Sequence, residues 1–252
     1  MKFLRAVKLG DSPTYIIRID PHVHTVYSLD SLITLDDIQK VLRSGLLSHI
    51  GITDHNTVLG GIKAFKNIGR PILPGIELSS QEGHILLLGI KDKQLGKRIE
   101  ALKGKSSLEI LDIALDENLL PLIPHPLELR RHGVDESTLR CILDKYPDIP
   151  VESLNASSLF YTSRKKLLKI LSTSNLNPRL VASSDAHITK AIGCAFTYVL
   201  SFNNSEDPLD MLLSAPKMIP YGSFLPIGTK LEIFVKQTSI KLRRLCYHFR
   251  SF

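Results

Sequence analysis

Short apolar runs alternate with amphipathic stretches along most of the chain. Ile16–Asp20 reads as a strand. Thr34–Leu42 has helical spacing and an acidic first turn, and Gly45 follows as a stop. Ile50–Thr53 is the next strand and Val58–Ile68 the next helix. Ile72–Leu73 and Ile85–Ile90 are apolar throughout, as buried strands are. The series continues with a helix over Ser107–Asn118, a strand over Leu122–Pro124, a helix over Glu136–Lys145 and a strand over Ile149–Leu154. A helix over Ser163–Leu171 and strands over Leu180–Ala182 and Phe196–Leu200 complete it. Continuous apolar strands alternating with helices predict a parallel sheet covered by helices, open or closed as a barrel. In such folds the chemistry sits at the C-terminal ends of the strands.

The pattern changes at Thr229. Leu231, Phe234, Val235, Thr238, Leu242, Leu245, Cys246 and Phe249 recur at helical spacing, while Lys236, Lys241, Arg243, Arg244 and His248 fall mostly elsewhere on the wheel. This predicts a basic amphipathic helix over 229–252, packed on a domain formed by 1–228. Contact with nucleic acid or a partner is the other use for its basic face.

Composition narrows the class. With 252 residues and 43% hydrophobic content, the chain can bury a substantial core. A net charge of +7 favours anionic ligands, phosphorylated molecules or nucleic acid among them. The cysteines Cys141, Cys194 and Cys246 are far apart, so a disulfide framework is not expected and a reducing, cytoplasmic setting is. The first residues lack the apolar core of a signal peptide. No apolar run approaches the roughly 18 residues a membrane helix needs.

The predicted strand ends carry unusual polar clusters. Along a strand, residues two apart share a face, so Asp20, His22 and His24 should project together. The second strand runs into Asp54-His55, the third into Glu77, and His84 opens the next. Pro124-His125-Pro126, Glu152 with Asn155, and Asp185 with His187 follow at later strand ends. Six of the nine histidines lie in these clusters, whereas His49, His132 and His248 do not. If the strands are parallel, the clusters meet on one rim. Imidazole and carboxylate donors suit Zn²⁺, Mn²⁺ or Fe²⁺, and their number exceeds one ion's needs, so two or three ions are expected. Such sites mostly hydrolyse phosphoesters or amides. No P-loop, GxGxxG or Ser-His-Asp order supports another chemistry.

The ordered segments DPHVHTVYSLDS, GITDHNT, PGIELSS with GHILLLGI, IPHP, VESLNA and SSDAH resemble the motifs of the PHP (polymerase and histidinol phosphatase) family, over about Asp20 to Phe202. The resemblance implies a distorted (β/α)7, TIM-like barrel with a trinuclear metal centre. Carried over, His22, His24, Glu77 and Asp185 hold one ion. Glu77 bridges to a second with His84 and His125, and Asp30, His55 and His187 hold a third. It also casts Asp20 and Asp54 as partners that orient imidazoles, with Glu152 and Asn155 behind the ligands. Arg130, Arg131 and Arg164 follow strand-end clusters and could hold phosphate oxygens. Ser183 stands where the family usually has glycine, and Ser153 and Leu154 also depart from common members.

The implied activity is that of a free-standing phosphoesterase, in which a metal-bridging hydroxide attacks a small phosphomonoester such as a nucleotide or sugar phosphate. One alternative is a nuclease acting on DNA or RNA ends, with Tyr27, Phe160 and Tyr161 near the site to stack a base. A non-catalytic scaffold barrel is the other. The pattern leaves the oligomeric state open.

Overall fold

The computed structural model describes residues 5–9, 12–159, 161–202, 205 and 207–249, with side-chain environments between 15 and 240. In chain order the elements are β1 (Arg5–Leu9), β2 (Ser12–Val23), α1 (Leu35–Ser44), β3 (His49–Ile52), α2 (Leu59–Ile68), β4 (Ile72–Ser79), β5 (His84–Leu88), α3 (Lys93–Glu100) and α4 (Ser107–Asp116). They continue with β6 (Leu120–Leu122), α5 (Glu136–Lys145), β7 (Val151–Asn155), α6 (Tyr161–Ser172), β8 (Leu180–Ser183), β9 (Ala195–Ser201), α7 (Pro208–Leu213), β10 (Lys217–Gly222) and α8 (Ile227–Phe249). The sequence pattern did not anticipate β1, α3, α7 or β10.

The fold is mixed α/β with a curled, barrel-like sheet. Its strand order is β10-β9-β2-β3-β4-β5-β6, with β1 paired to β2, while β7 and β8 form a separate parallel pair. Isolated parallel bridges at Ile123–Val151 and Val23–Ala186 tie that pair to β6 and β2, so the run from β2 to β6 curls round to meet it. The expected all-parallel sheet is corrected here. The β2–β3–β4 and β7–β8 pairings are parallel, but β5 runs antiparallel to both β4 and β6, and β9 antiparallel to β2 and β10. The cause is local. Only Ser80–Gly83 link β4 to β5, too few for a crossover. Ser80 closes that turn, its amide donating to the Gly83 carbonyl at 2.8 Å and its hydroxyl to the same oxygen at 2.6 Å.

Ile17, Ile19, Leu73, Leu86, Leu122, Val181 and Val199 come from six strands and pack together, filling the enclosed space. Leu209, Met211 and Leu212 of α7 join this cluster and close it. The helices pack their apolar faces outside the sheet. His22 and His24 also meet residues from across the curl. The inward positions on β2 therefore switch from 17 and 19 to 22 and 24. A register shift between Asp20 and Val23 makes the switch. Asp20 and His22 consequently do not share a face, against the simple alternation. Gly51 of β3 permits the irregularity, because a Cβ there would sit 2.5 Å from the Pro21 carbonyl oxygen.

α8 starts two residues before Thr229. Ile233 is buried against the body, but Leu231, Phe234 and Val235 are 60%, 67% and 60% exposed. The expected inward stripe is thus corrected over this part of the helix. The contact runs along a different ridge, where Lys230 donates to the Ser158 carbonyl and Glu232 pairs with Lys190. The side chains of Leu242, Leu245, Cys246 and Phe249, and Phe160 of the proposed stacking set, lie outside the described residues.

Candidate metal centre

All nine side chains expected as ligands meet at one rim of the curl. His22 Nε2 and His24 Nε2 are 3.0 Å apart. Glu77 Oε2 lies 3.3 Å from the first and 3.2 Å from the second. Asp185 Oδ1 lies 3.6 and 3.3 Å from the same two nitrogens. A tetrahedral ion with bonds of about 2.0–2.1 Å has ligand–ligand edges near 3.3–3.4 Å. The five measured edges fit that size.

Glu77 presents its two oxygens to different groups. Oε2 faces His22, His24 and, at 2.9 Å, His55 Nδ1. Oε1 faces His84 Nδ1 at 2.8 Å and His125 Nε2 at 3.0 Å. The other nitrogen of His55 is 3.6 Å from Asp30 Oδ2, and His187 Nε2 is 3.4 Å from that same oxygen. Four overlapping triads can each hold an ion: His22/His24/Glu77, His22/His125/Asp185, His55/Glu77/His84 and His24/His55/His187. Buried Glu77 Oε2, Asp30 Oδ1, His84 Nδ1 and His187 Nε2 make no hydrogen bond. Unpaired buried donors and acceptors are costly, so these atoms fit divalent cations.

The protonation of the cluster follows from its crowding. Burial opposes ionisation of Glu77, but the charges of His55, His84 and His22 outweigh it and hold its carboxyl well below the usual range. Burial likewise opposes a charged His55, yet Glu77 and Asp30 raise it to about 10. His125 is pushed down, chiefly by burial.

A framework of polar groups fixes the ligands. Glu152 Oε1 accepts from His22 Nδ1 at 2.9 Å, and its Oε2 accepts from the His125 amide at 2.7 Å and from Asn155 Nδ2 at 2.9 Å. Ser183, the departure from the family's glycine, donates its hydroxyl to Glu152. Ser28 Oγ lies 3.2 Å from His24 Nδ1 and accepts from the His55 amide. Asn56, His125 and Asp185 sit at φ 55°, 29° and 50°, left-handed conformations that cost energy in residues other than glycine and concentrate at functional sites.

Three expectations change. Asp20 does not orient an imidazole; it accepts from the Ser184 and Gly193 amides, each at 2.9 Å, and burial pushes its carboxyl up to about 6. Asp54 accepts instead from the Thr25 amide at 2.6 Å and its hydroxyl at 2.8 Å, pinning the loop after β2. Gly60 leaves room for this pair, since a Cβ there would collide with the Asp54 carboxylate. Arg131 is committed to protein groups. Its Nη2 donates to Asp185 Oδ2 and its Nη1 to Asn155 Oδ1 at 3.2 Å, with Glu128 beside it. Its role on Asp185 had no signal in the sequence beyond an arginine pair after IPHP.

Arg130 is exposed, and Arg164 stacks its guanidinium 5.7 Å from the Tyr161 ring while its buried Nε has no partner. Tyr27 lies under Lys63, 4.7 Å from the ring centre. His132, placed outside the clusters by sequence, packs its ring 5.3 Å from that of His84.

A curled α/β sheet with a histidine–carboxylate rim able to hold several ions defines a class of metal-binding barrel. The PHP domain model matches residues 20–120, so over that segment the chain is similar to PHP proteins. An uncharacterized protein of Methanocaldococcus jannaschii is 29% identical over an alignment spanning 44% of this chain and 68% of that protein. A two-domain protein from Bacteroides vulgatus, containing a predicted PHP-like metal-dependent phosphoesterase, superposes with a TM-score of 0.61 at 16% identity, over 92% of this chain and 73% of that one. PsfC from Pseudomonas syringae gives 0.64 at 16% identity over 90% and 98%. The lesion-specific endonuclease PfuEndoQ from Pyrococcus furiosus gives 0.55 at 15% identity over 82% and 59%. At these identities the structural likenesses speak for the fold alone. Among the described residues, no helix is long and apolar enough to cross a membrane.

Proposed function

We propose that this chain is a metal-dependent hydrolase of phosphoesters whose preferred substrate is a small phosphomonoester, a nucleotide or a sugar phosphate. One observation carries the reading: six imidazoles and three carboxylates converge on one rim with buried lone pairs left unclaimed. The reading takes 1–228 as the distorted (β/α)7 barrel and 229–252 as its C-terminal helix. His22, His24, Glu77 and Asp185 would hold one ion. His84 and His125 would share a second with Glu77, and Asp30, His55 and His187 would hold a third. Zn²⁺, Mn²⁺ or Fe²⁺ suits these donors. When bound, such ions supply Lewis acidity and lower the pKa of a coordinated water toward neutrality.

The chain's own part is orientation. Glu152 keeps the His22 ring turned to the centre, and Arg131 with Asn155 holds Asp185 so that Oδ1 faces inward. With Arg131 committed, Arg130 and Arg164 are the arginines left, and Arg164, whose Nε makes no hydrogen bond to protein, is the one assigned to a phosphoryl oxygen.

A nuclease acting on nucleic-acid ends is the second reading, favoured by the fold likeness to an endonuclease and by the +7 charge. Oligonucleotide binding that weakens steeply with ionic strength would support it; binding of a small ester would not show that slope.

The test is elemental analysis of protein purified without chelator, paired with Mn²⁺-stimulated turnover of p-nitrophenyl phosphate. Two or three ions per chain with turnover support the reading. Bound metal without turnover moves the substrate toward nucleic acid. Protein with neither would be a scaffold barrel. His22→Ala and Asp185→Ala should abolish turnover with folding largely retained, and full activity in either would remove the metal assignment.

A further inference from the structure

Beside the metal centre lies a cavity of about 340 Å³, walled by Ser79, the β4–β5 turn (Ser80–Gly83), His84, Leu129, His132 and Gly133. It opens where His84, one of the nine converging ligands, meets the His132 ring. Its walls are tied to each other. The His84 amide donates to the His132 carbonyl at 2.7 Å, and the Gln81 amide donates to the Lys105 carbonyl at 3.0 Å. Gly83 has φ 155° and abuts the same segment, since a Cβ there would sit 2.8 Å from the His132 oxygen and the Val134 amide. The cavity is therefore built into the fold.

Its lining contains no lysine or arginine. The single carboxylate, Glu82, accepts from the Ser107 amide at 2.7 Å and is spent on the start of α4. Ser79 and Ser80 hydroxyls are engaged with Asn56 and the turn. Gln81 and His132 are exposed at the wall, and Leu129 is 65% exposed. The wall thus offers polar donors and acceptors on one side and an apolar surface on the other. A volume at the lower end of ordinary ligand sites suits one ring-bearing group. A second phosphate or an extended anionic chain would find no lysine or arginine there.

We propose that this cavity is the leaving-group subsite: it takes an uncharged, hydroxyl-bearing organic group of about nucleoside or monosaccharide size, with Gln81, Leu129 and His132 setting the choice. The proposal deepens the phosphomonoester reading and rests on it for the location of the reacting phosphate. It places bisphosphates and oligonucleotides among poor ligands of this subsite.

The experiment measures binding of adenosine, uridine and glucose, none of which carries phosphate, by calorimetry on the full chain. The comparison proteins are Gln81→Ala and Leu129→Arg, both at exposed wall positions. At least one probe should bind, and each substitution should weaken it about fivefold, the worth of one hydrogen bond or a blocked wall. In parallel, KM for the matching monophosphate should rise about as much, with kcat for that ester moving less than about twofold. Adenosine 3′,5′-bisphosphate should bind no tighter than adenosine monophosphate. Binding of none of the three probes, or binding indifferent to both substitutions, overturns the proposal. Tighter binding of the bisphosphate that is lost in Leu129→Arg also overturns it. Probe binding that responds to the substitutions in a protein without phosphatase turnover would sustain the cavity and remove the phosphoester reading instead.

Discussion

Glu77 shows how one side chain organises a centre. Each oxygen faces a different set of imidazoles, and burial makes each of those contacts count for more than it would in water. Protons and metal ions compete for these nitrogens. Because Glu77 and Asp30 hold His55 protonated up to about 10, metal binding near neutral pH must displace its proton. Affinity for Mn²⁺ or Zn²⁺ should therefore climb as pH rises from 6 to 8, and competition with a chelator indicator of known pH dependence would measure it. A flat profile would mean the cluster does not take the ion through His55. Arg131 makes a second prediction at this scale. Arg131→Ala frees Asp185 Oδ2 and leaves its carboxylate loose, so metal affinity should fall roughly 10- to 100-fold, as for other residues that orient ligands. Arg131→Lys should recover little, because one ammonium cannot reproduce the guanidinium's contacts to Asp185 and Asn155.

Elements deliver these residues through irregularities rather than through regular geometry. The shift in β2 turns His22 and His24 inward while Asp20 braces Ser184 and Gly193. Gly51 keeps β3 close enough for that arrangement, which a methyl group would disturb. α1 is conventional by contrast. Thr34 and Asp37 form a reciprocal cap and Gly45 ends the helix at φ 74°, so its limits could be read from the chain. α8 was legible as a helix but not in its orientation, because a run of apolar residues does not say which of them finds a neighbour. Ile233→Ala should cost about 2 kcal/mol in a denaturant titration, toward the low end for a buried large-to-small change at a partly open site. Phe234→Ala should stay within about 0.5 kcal/mol. Equal losses would mean that Phe234 is covered in solution.

At the scale of the whole molecule, pH acts on a second buried histidine far along β3 from the centre. His49 is buried, bonded to Ser48 Oγ at 3.0 Å, and burial pushes it down to about 4, with Asp207 a weaker opposing influence. Its folded pKa lies below the unfolded value of about 6.5. Between those values the unfolded chain binds the proton and the folded one does not. Stability associated with a neutral His49 is thus complete above about pH 6.5 and is lost as pH falls toward 4, by roughly 3 kcal/mol in all. His49→Gln should be less stable than the wild type at pH 7 but lose less on going to pH 5, when both are melted under the same metal conditions. Parallel slopes would show that His49 is not the titrating group.

The chain by itself determined the polar groups and their order. Most of the histidines and carboxylates sit where an apolar run stops, with His84 opening one instead, and period and composition carry that much. All nine expected ligands do meet. Only tertiary structure decided which partner each of the remaining polar residues would take. Asp20, Asp54 and Arg131 carry the same chemistry in the sequence as any ligand or phosphate clamp. What separates them is a one-residue irregularity in β2, a loop pinned at Thr25, and an arginine folded back from the segment after His125. The reversal of β5 and the cavity beside His84 belong to the same class. The reversal follows from the short Ser80–Gly83 link, which no apolar period marks, while the cavity rests on the long-range contact to His132, and contacts between distant segments leave no period in the chain.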